Sequence, residues 1–251
     1  MNTITATPKI HRPTATTILA LAALALIAGG CAKTAERKDV DTVQTAAAAP
    51  NVISGTFTDS RDGKTYRTVG IGKLTWMAEN LNFVTDSSAC YDNADSNCTK
   101  YGRLYNWKDA MKVCPAPWRV PSDEDWDSLT VAVGGQRVED GSGGYDWKFA
   151  GKKLKSTTGW KDRVDDYGNL VLSGNGTDEI VFSALPGGGR WSDGYFDTAD
   201  SGGFWWSATE YGASDAWARG MGYDDDEVYR SYNYKTNLFS LRCVRDSAAP
   251  Q

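Results

Sequence analysis

From Val52 onward, apolar and polar positions alternate in short runs broken by turn residues. Asp62-Gly63 separates residues 55–58 from 64–71, and Gly72 separates that run from 74–77, which predicts an N-terminal antiparallel meander. The period then changes. Residues 103–113 carry neither Gly nor Pro, and Leu104, Trp107 and Met111 recur at helical spacing, which predicts a helix ended by Cys114-Pro115. After Pro121, Ser122 is placed to N-cap a second helix whose first turn holds Asp123, Glu124 and Asp125 against the positive helix end. Trp126, Leu129 and Val133 mark its inner face. A short helix is expected over 147–154, then strands over 180–185, 204–209, 216–221 and 238–245. In the last, Phe239, Leu241 and Cys243 alternate with Ser240, Arg242 and Val244, the pattern of a half-buried strand. Strand alternation also turns only one of Trp205 and Trp206 inward. Strands, two main helices, then small antiparallel sheets joined by long loops make an α+β domain, and the order excludes the repeated βαβ of nucleotide-binding folds.

The chain before Val52 has a different character. Lys9 and Arg12 precede an unbroken run of Ile, Leu and Ala over 18–28, then Gly29, Gly30 and Cys31, the layout of a signal peptide. At 11 residues the run spans about 16 Å as helix, too short for the ~30 Å hydrocarbon core of a bilayer. Leu26-Ile27-Ala28-Gly29-Gly30-Cys31 resembles a bacterial lipobox, which implies acylation of Cys31. The alternative is an ordinary secretory signal with Cys31 nearby by chance. Ala32 stands where an aspartate would commonly retain a lipoprotein at the inner membrane, so the resemblance implies the outer membrane. Residues 32–51 mix Lys, Glu, Asp and Thr with Ala46, Ala47, Ala48, Ala49 and Pro50, without an aromatic anchor, and read as a flexible tether. The expected organisation is a signal peptide at 1–30, lipidated cysteine and tether at 31–51, a domain at 52–247 and a tail at 248–251.

Charge and composition narrow the function. Of 251 residues, 27 are Lys or Arg and 32 are Asp or Glu, giving −5, and cleavage before Cys31 leaves 25 bases against 32 acids. An acidic surface is the wrong sign for nucleic acid. The single histidine, His11, leaves with the signal peptide. A mature chain without imidazole excludes Ser-His-Asp and Cys-His catalysis and nearly all catalytic zinc sites. The composition therefore favours a protein that is not an enzyme.

Cys90, Cys98, Cys114 and Cys243 remain after Cys31, an even number in an exported protein, so two disulfides are expected from three possible pairings. The polar, turn-rich stretch 91–97 favours a local Cys90–Cys98 bridge, which leaves Cys114 for Cys243. A four-cysteine metal site is the rival, but no CxxC spacing occurs.

Two clusters are candidates for ligand chemistry. Trp191, Asp193, Tyr195 and Phe196 lie in the glycine-bounded stretch 187–196, where aromatic rings are positioned to form a sugar-binding platform or to pack the loop. Asp224, Asp225, Asp226 and Glu227 form the densest acidic run, and Asp162, Asp165 and Asp166 a second. Oxygen ligands suit Ca²⁺, but neither run has EF-hand spacing, and a solvated acidic loop is the simpler reading, with no cofactor. Gly187-Gly188-Gly189 and Gly151-Lys152-Lys153 lack the context of a phosphate loop and read as a turn or helix boundary. Abundant carboxylates leave a two-acid glycoside hydrolase as a minor alternative.

Several motifs occur together and in order: Trp76-Met77-Ala78-Glu79-Asn80-Leu81, Tyr101-Gly102-Arg103-Leu104-Tyr105-Asn106-Trp107, and Trp118-Arg119-Val120-Pro121-Ser122. Further along stand Phe182-Ser183-Ala184-Leu185-Pro186-Gly187-Gly188, Trp205-Trp206-Ser207-Ala208-Thr209-Glu210 and Ser240-Leu241-Arg242-Cys243-Val244-Arg245-Asp246. Over about 57–246 the chain resembles the Fibrobacter succinogenes major paralogous domain family, found on exported bacterial proteins and often on lipoproteins. The resemblance implies a C-type-lectin-like fold, in which a cysteine at the end of the first helix joins the last strand. That agrees with Cys114–Cys243. Neither the Glu-Pro-Asn or Gln-Pro-Asp triplet nor the Trp-Asn-Asp triplet of calcium-dependent lectins occurs; Trp191-Ser192-Asp193 is the nearest. The cysteines expected in disulfides also leave no reactive pair for a formylglycine-generating activity.

Together these features lead to the expectation of an outer-membrane lipoprotein, at the surface or within the envelope, with a non-catalytic binding or adhesion module for a glycan or cell-surface protein. A structural envelope protein without a small ligand is the alternative. Radiolabelled palmitate is expected to enter the full-length protein and not Cys31→Ala; equal labelling of both, or labelling of neither, contradicts the lipid anchor.

Overall fold

The computed structural model describes residues 52–139 and 144–247; the predicted signal peptide, Cys31, the tether and the 248–251 tail lie outside them. The elements run β1 (Ile53–Thr58), β2 (Thr65–Ile71), β3 (Leu74–Met77), α1 (Asp95–Tyr101), α2 (Trp107–Val113) and α3 (Asp123–Ala132). There follow β4 (Gln136–Glu139), β5 (Tyr145–Lys148), α4 (Gly151–Leu154), β6 (Arg163–Val164), β7 (Leu170–Leu172) and β8 (Gly187–Arg190). The last five are β9 (Phe196–Ala199), β10 (Gly202–Glu210), β11 (Asp215–Gly222), β12 (Tyr229–Tyr234) and β13 (Val244–Asp246). A four-stranded antiparallel sheet has the order β1-β2-β3-β13, and a five-stranded mixed sheet the order β12-β11-β10-β8-β9. Hairpins β4-β5 and β6-β7 complete an α+β domain.

The meander forms as its alternation and turn residues dictate. Helix α3 also begins where its cap predicts: Ser122 Oγ accepts from Asp125 N, and the Asp125 carboxylate accepts from Ser122 N at 2.7 Å, a reciprocal capping box. Elsewhere long-range pairing overrides local periodicity. The helix expected over 103–113 starts only at Trp107, because Leu104 pairs with Ala89 and Tyr105 with Phe239, while Asn106 caps α2 by accepting from Asp109 N at 2.9 Å. Trp147, expected in a helix, lies in β5 and exchanges both backbone bonds with Val228, so α4 is a single turn. Residues 180–185 form no strand, since Val181 and Ser183 take positive φ; only Ala184 bridges, to Lys155. Among the described residues three helices of seven residues or more are present where two main ones were expected, α1 being the one that turn residues concealed.

The triple glycine, expected as a turn, is strand β8. Gly188 has φ +61°, and a Cβ there would lie 2.6 Å from Asp197 O; one at Gly189 would lie 2.9 Å from the Phe239 ring. These residues are small because two neighbours occupy the space a side chain would take.

Strand β10 has a core on each of its faces. Trp205 enters one with Trp76, Trp126, Trp160 and Phe182; Trp206 enters the other with Met77, Tyr105, Phe239 and Leu241. Both indoles are wholly buried, against the expectation that one faces outward, because the five-stranded sheet lies between two apolar layers. The same burial removes the expected half-exposed strand at 238–245. Ser240, Arg242 and Val244 are as buried as Phe239, Leu241 and Cys243, and only 244–246 is regular strand.

Disulfides join Cys90 to Cys98 and Cys114 to Cys243, as the spacing predicts. By the loop-entropy model the second, spanning 129 residues, stabilises by about 5 kcal/mol and the first, spanning 8, by about 2.5. Urea unfolding of Cys114→Ser/Cys243→Ser is therefore expected to show roughly twice the loss of Cys90→Ser/Cys98→Ser; the reverse order contradicts this assignment.

Candidate functional site

The predicted aromatic loop connects β8 to β9, and its residues point in different directions. Trp191 packs edge-on against Phe204 and Phe239, with centroids 5.5 and 5.3 Å away, and its buried Nε1 has no partner. Tyr195 is 72% exposed, whereas Phe196 packs on Tyr91. Asp193 accepts from Tyr195 N at 3.1 Å, and Trp191 N donates to Tyr195 O, so the loop closes on its own backbone. The four residues are not gathered onto one face.

The acidic run 224–227 forms the turn between β11 and β12 and covers a buried lysine. Lys155, on the segment after α4, donates to Gly222 O at 3.0 Å and Asp225 O at 2.8 Å, with the Asp226 carboxylate 4.0 Å away. Burial pushes the Lys155 ammonium down from the usual lysine range, and burial pushes Asp225 up to about 6. Asp225 also accepts from Glu227 N and from the Tyr229 hydroxyl. In the second run Asp162 accepts from Ser173, and Asp165 accepts from Tyr167 N and Asn169 N, which with the Asn169 side chain holds its carboxyl below the usual range. Among the described residues no group of three or more His, Cys, Asp or Glu is disposed to hold a metal ion.

The concave site lies elsewhere. A groove of about 450 Å³ runs between β2, the segment after β3, the C-terminal end of α1, and residues 156–158 and 178–185. Polar and apolar surface line it about equally, the polar part including Arg67, Glu79, Lys100, Tyr101, Thr157 and Ser183. Its charges are largely paired, Arg67 with Glu79 at 3.4 Å and Lys100 with Asp200 at 3.4 Å. Nearby, burial pushes Tyr66 up to about 12, and its hydroxyl accepts from Asn82 N. The groove presents hydroxyls, amides and paired ions to a ligand.

Beneath it lies a buried polar node. Asn80 Oδ1 accepts from Trp205 Nε1 at 2.8 Å and Arg242 Nε at 2.9 Å, while its Nδ2 donates to Tyr101 O and Ser240 Oγ. Arg242, wholly buried, also donates to Phe182 O and to Ser183 O, and its guanidinium lies 4.2 Å from the Phe182 ring centroid. These bonds hold a strained segment. Asp178, Val181 and Ser183 have φ of 49°, 58° and 53°, which for a β-branched valine is a rare conformation. The Asp178 carboxylate closes the turn, accepting from Ser183 N and Oγ at 2.6 Å each.

Sequence reasoning did not single out these groove residues. The signal available was Arg242, a charge within an otherwise apolar segment, and Asn80 beside Trp76 and Met77.

The chain matches the family described as the Fibrobacter succinogenes major domain over residues 69–245. No curated protein and no solved structure matches it. The matched span holds both disulfides, the buried node and most of the groove wall, and the chain belongs to the Fibrobacter succinogenes major domain family.

Proposed function

We propose that this protein is a lipid-anchored envelope protein whose domain is a non-catalytic binding module, with the groove taking one or two sugar units of a glycan. The observation that carries the reading is the strained segment 178–183, fixed on the groove wall by buried Arg242. Strain of this kind costs about 1–3 kcal/mol per residue and persists where the surrounding structure over-determines it, most often at ligand sites. A preorganised wall loses little entropy when a ligand binds. The groove volume lies in the range of small-molecule sites. Hydroxyls and amides suit a polyhydroxylated ligand, which offers donors and acceptors together. The Cys114–Cys243 bridge, from the end of α2 to the C-terminal segment, supports the lectin-like reading of the fold. Outer-membrane attachment through Cys31 belongs to the same proposal and rests on the lipobox resemblance. The reading requires no metal.

Thr157 sits exposed on the groove wall and makes no hydrogen bond among the described residues, so Thr157→Trp fills the groove without touching its floor. The full-length protein in detergent is expected to be retained on cellulose, xylan or peptidoglycan, equally in EDTA and without release of sugar. Thr157→Trp should weaken that retention at least tenfold at unchanged melting temperature. Retention on none of the three, or unaltered retention of the variant, contradicts the glycan reading; sugar release contradicts the non-catalytic one.

A further inference from the structure

A second surface, outside the groove, has the chemistry of a carbohydrate contact. On β11 and β12, Trp217 and Tyr232 are direct cross-strand partners and therefore share one sheet face. Tyr211, from the β10–β11 turn, stacks on Tyr232 with centroids 4.2 Å apart and planes 9° apart. Trp217 stands edge-on to both, at 5.0 and 6.0 Å. Tyr211, Tyr232 and Tyr234 are each more than half exposed. None of their hydroxyls has a hydrogen-bond partner among the described residues. Strand β12 is also the outer strand of its sheet.

The rings rest on a rigid base. The Arg230 guanidinium lies 3.2 Å from the Trp217 centroid and 4.8 Å from that of Tyr145. Its Nε donates to Asp123 at 2.7 Å, and Tyr145 Oη donates to Asp127 at 2.6 Å. Arg219, wholly buried, donates to both carboxylates at 2.9 Å and so fastens the face to α3. Trp217, and through it the Tyr211–Tyr232 pair, is thus held before any ligand arrives.

We infer that this aromatic face binds a neutral polysaccharide chain, with a pyranose ring against the free side of the stacked Tyr211–Tyr232 pair and the chain continuing over Tyr234. The inference rests on the reading of the domain as a glycan-binding module and adds a contact that the groove does not provide. Three observations select that occupant. The exposed apolar groups here are phenol rings carrying free hydroxyls, which meet both the C–H face and the hydroxyl edge of a sugar. The charges around the rings are already paired, Arg230 with Asp123, Arg137 with Glu139 and Lys235 with Glu210, so among the described residues the face holds no free cation for an anionic chain. From Tyr232 to Tyr234 the strand advances about 7 Å, which extends the face beyond a single ring.

The test uses the full-length protein in detergent on insoluble cellulose and xylan, with polygalacturonate as the anionic comparison. Wild type is expected to be retained on a neutral polymer, with little change between low and high salt. Tyr211→Ala/Tyr232→Ala/Tyr234→Ala should lower retention at least tenfold at unchanged melting temperature, and Tyr232→Phe should stay within threefold of wild type. Retention of the triple variant equal to wild type, or preference for polygalacturonate lost in salt, overturns the inference. If Thr157→Trp weakens binding and the triple tyrosine variant does not, the groove reading stands and this one falls. If wild type binds no polymer, both fall.

Discussion

A buried guanidinium without a carboxylate partner organises this domain. Arg242 takes its stabilisation from oxygen dipoles: the Asn80 amide, Phe182 O and Ser183 O, with the Phe182 ring against one side. Burial pulls its pKa down to about 9, so it stays charged at neutral pH, and a buried charge is tolerated only when its donors are met. Those partners come from distant parts of the chain. Asn80 follows β3, Phe182 and Ser183 lie in the strained segment, and Asn80 in turn holds Trp205 of β10 and the carbonyl of Tyr101 at the end of α1. One node therefore fixes the position of both sheets, a helix end and the groove wall.

The two apolar cores follow from the same arrangement. The C-terminal segment 237–244 passes beside β10 with residues of both parities buried, which requires polar side chains that can be satisfied inside. Ser240 and Arg242 are satisfied by Asn80 and the neighbouring carbonyls, and the Cys114–Cys243 bridge ties the segment to α2. Strand β10, with Trp205 on one face and Trp206 on the other, then separates the cores. At the far edge of the sheet the Arg219 network performs a comparable task for the exposed aromatic face, joining α3 to β11 and β12 through two aspartates.

Much of this was legible where structure is local. The meander, the Ser122 N-cap and the 90–98 bridge are set by residues within a few positions of one another, and the sequence states them. Arg103 to Asn106 and Trp147 were misleading because backbone pairing, of Leu104 to Ala89, Tyr105 to Phe239 and Trp147 to Val228, replaces the helical bonds that their periodicity suggests. Trp205 and Trp206 were half legible: alternation was real, but a sheet buried on both faces gives no outward side. The groove was the least visible part. Its wall collects residues from five separate segments, and the residue beneath it, Arg242, reads locally as the solvent side of a strand. Tyr232 and Tyr234 do alternate along β12, yet only cross-strand pairing with Trp217 reveals a common face.

Urea unfolding of Arg242→Met tests the central claim most directly, since methionine approximates the volume and removes every donor. Phe182 O and Ser183 O then lose their donor at about 1–3 kcal/mol each, while Asn80 Oδ1 keeps Trp205 Nε1, so the account predicts a loss of at least ~2 kcal/mol in unfolding free energy. A variant within ~0.5 kcal/mol of wild type, the usual range of an inconsequential surface change, would contradict it.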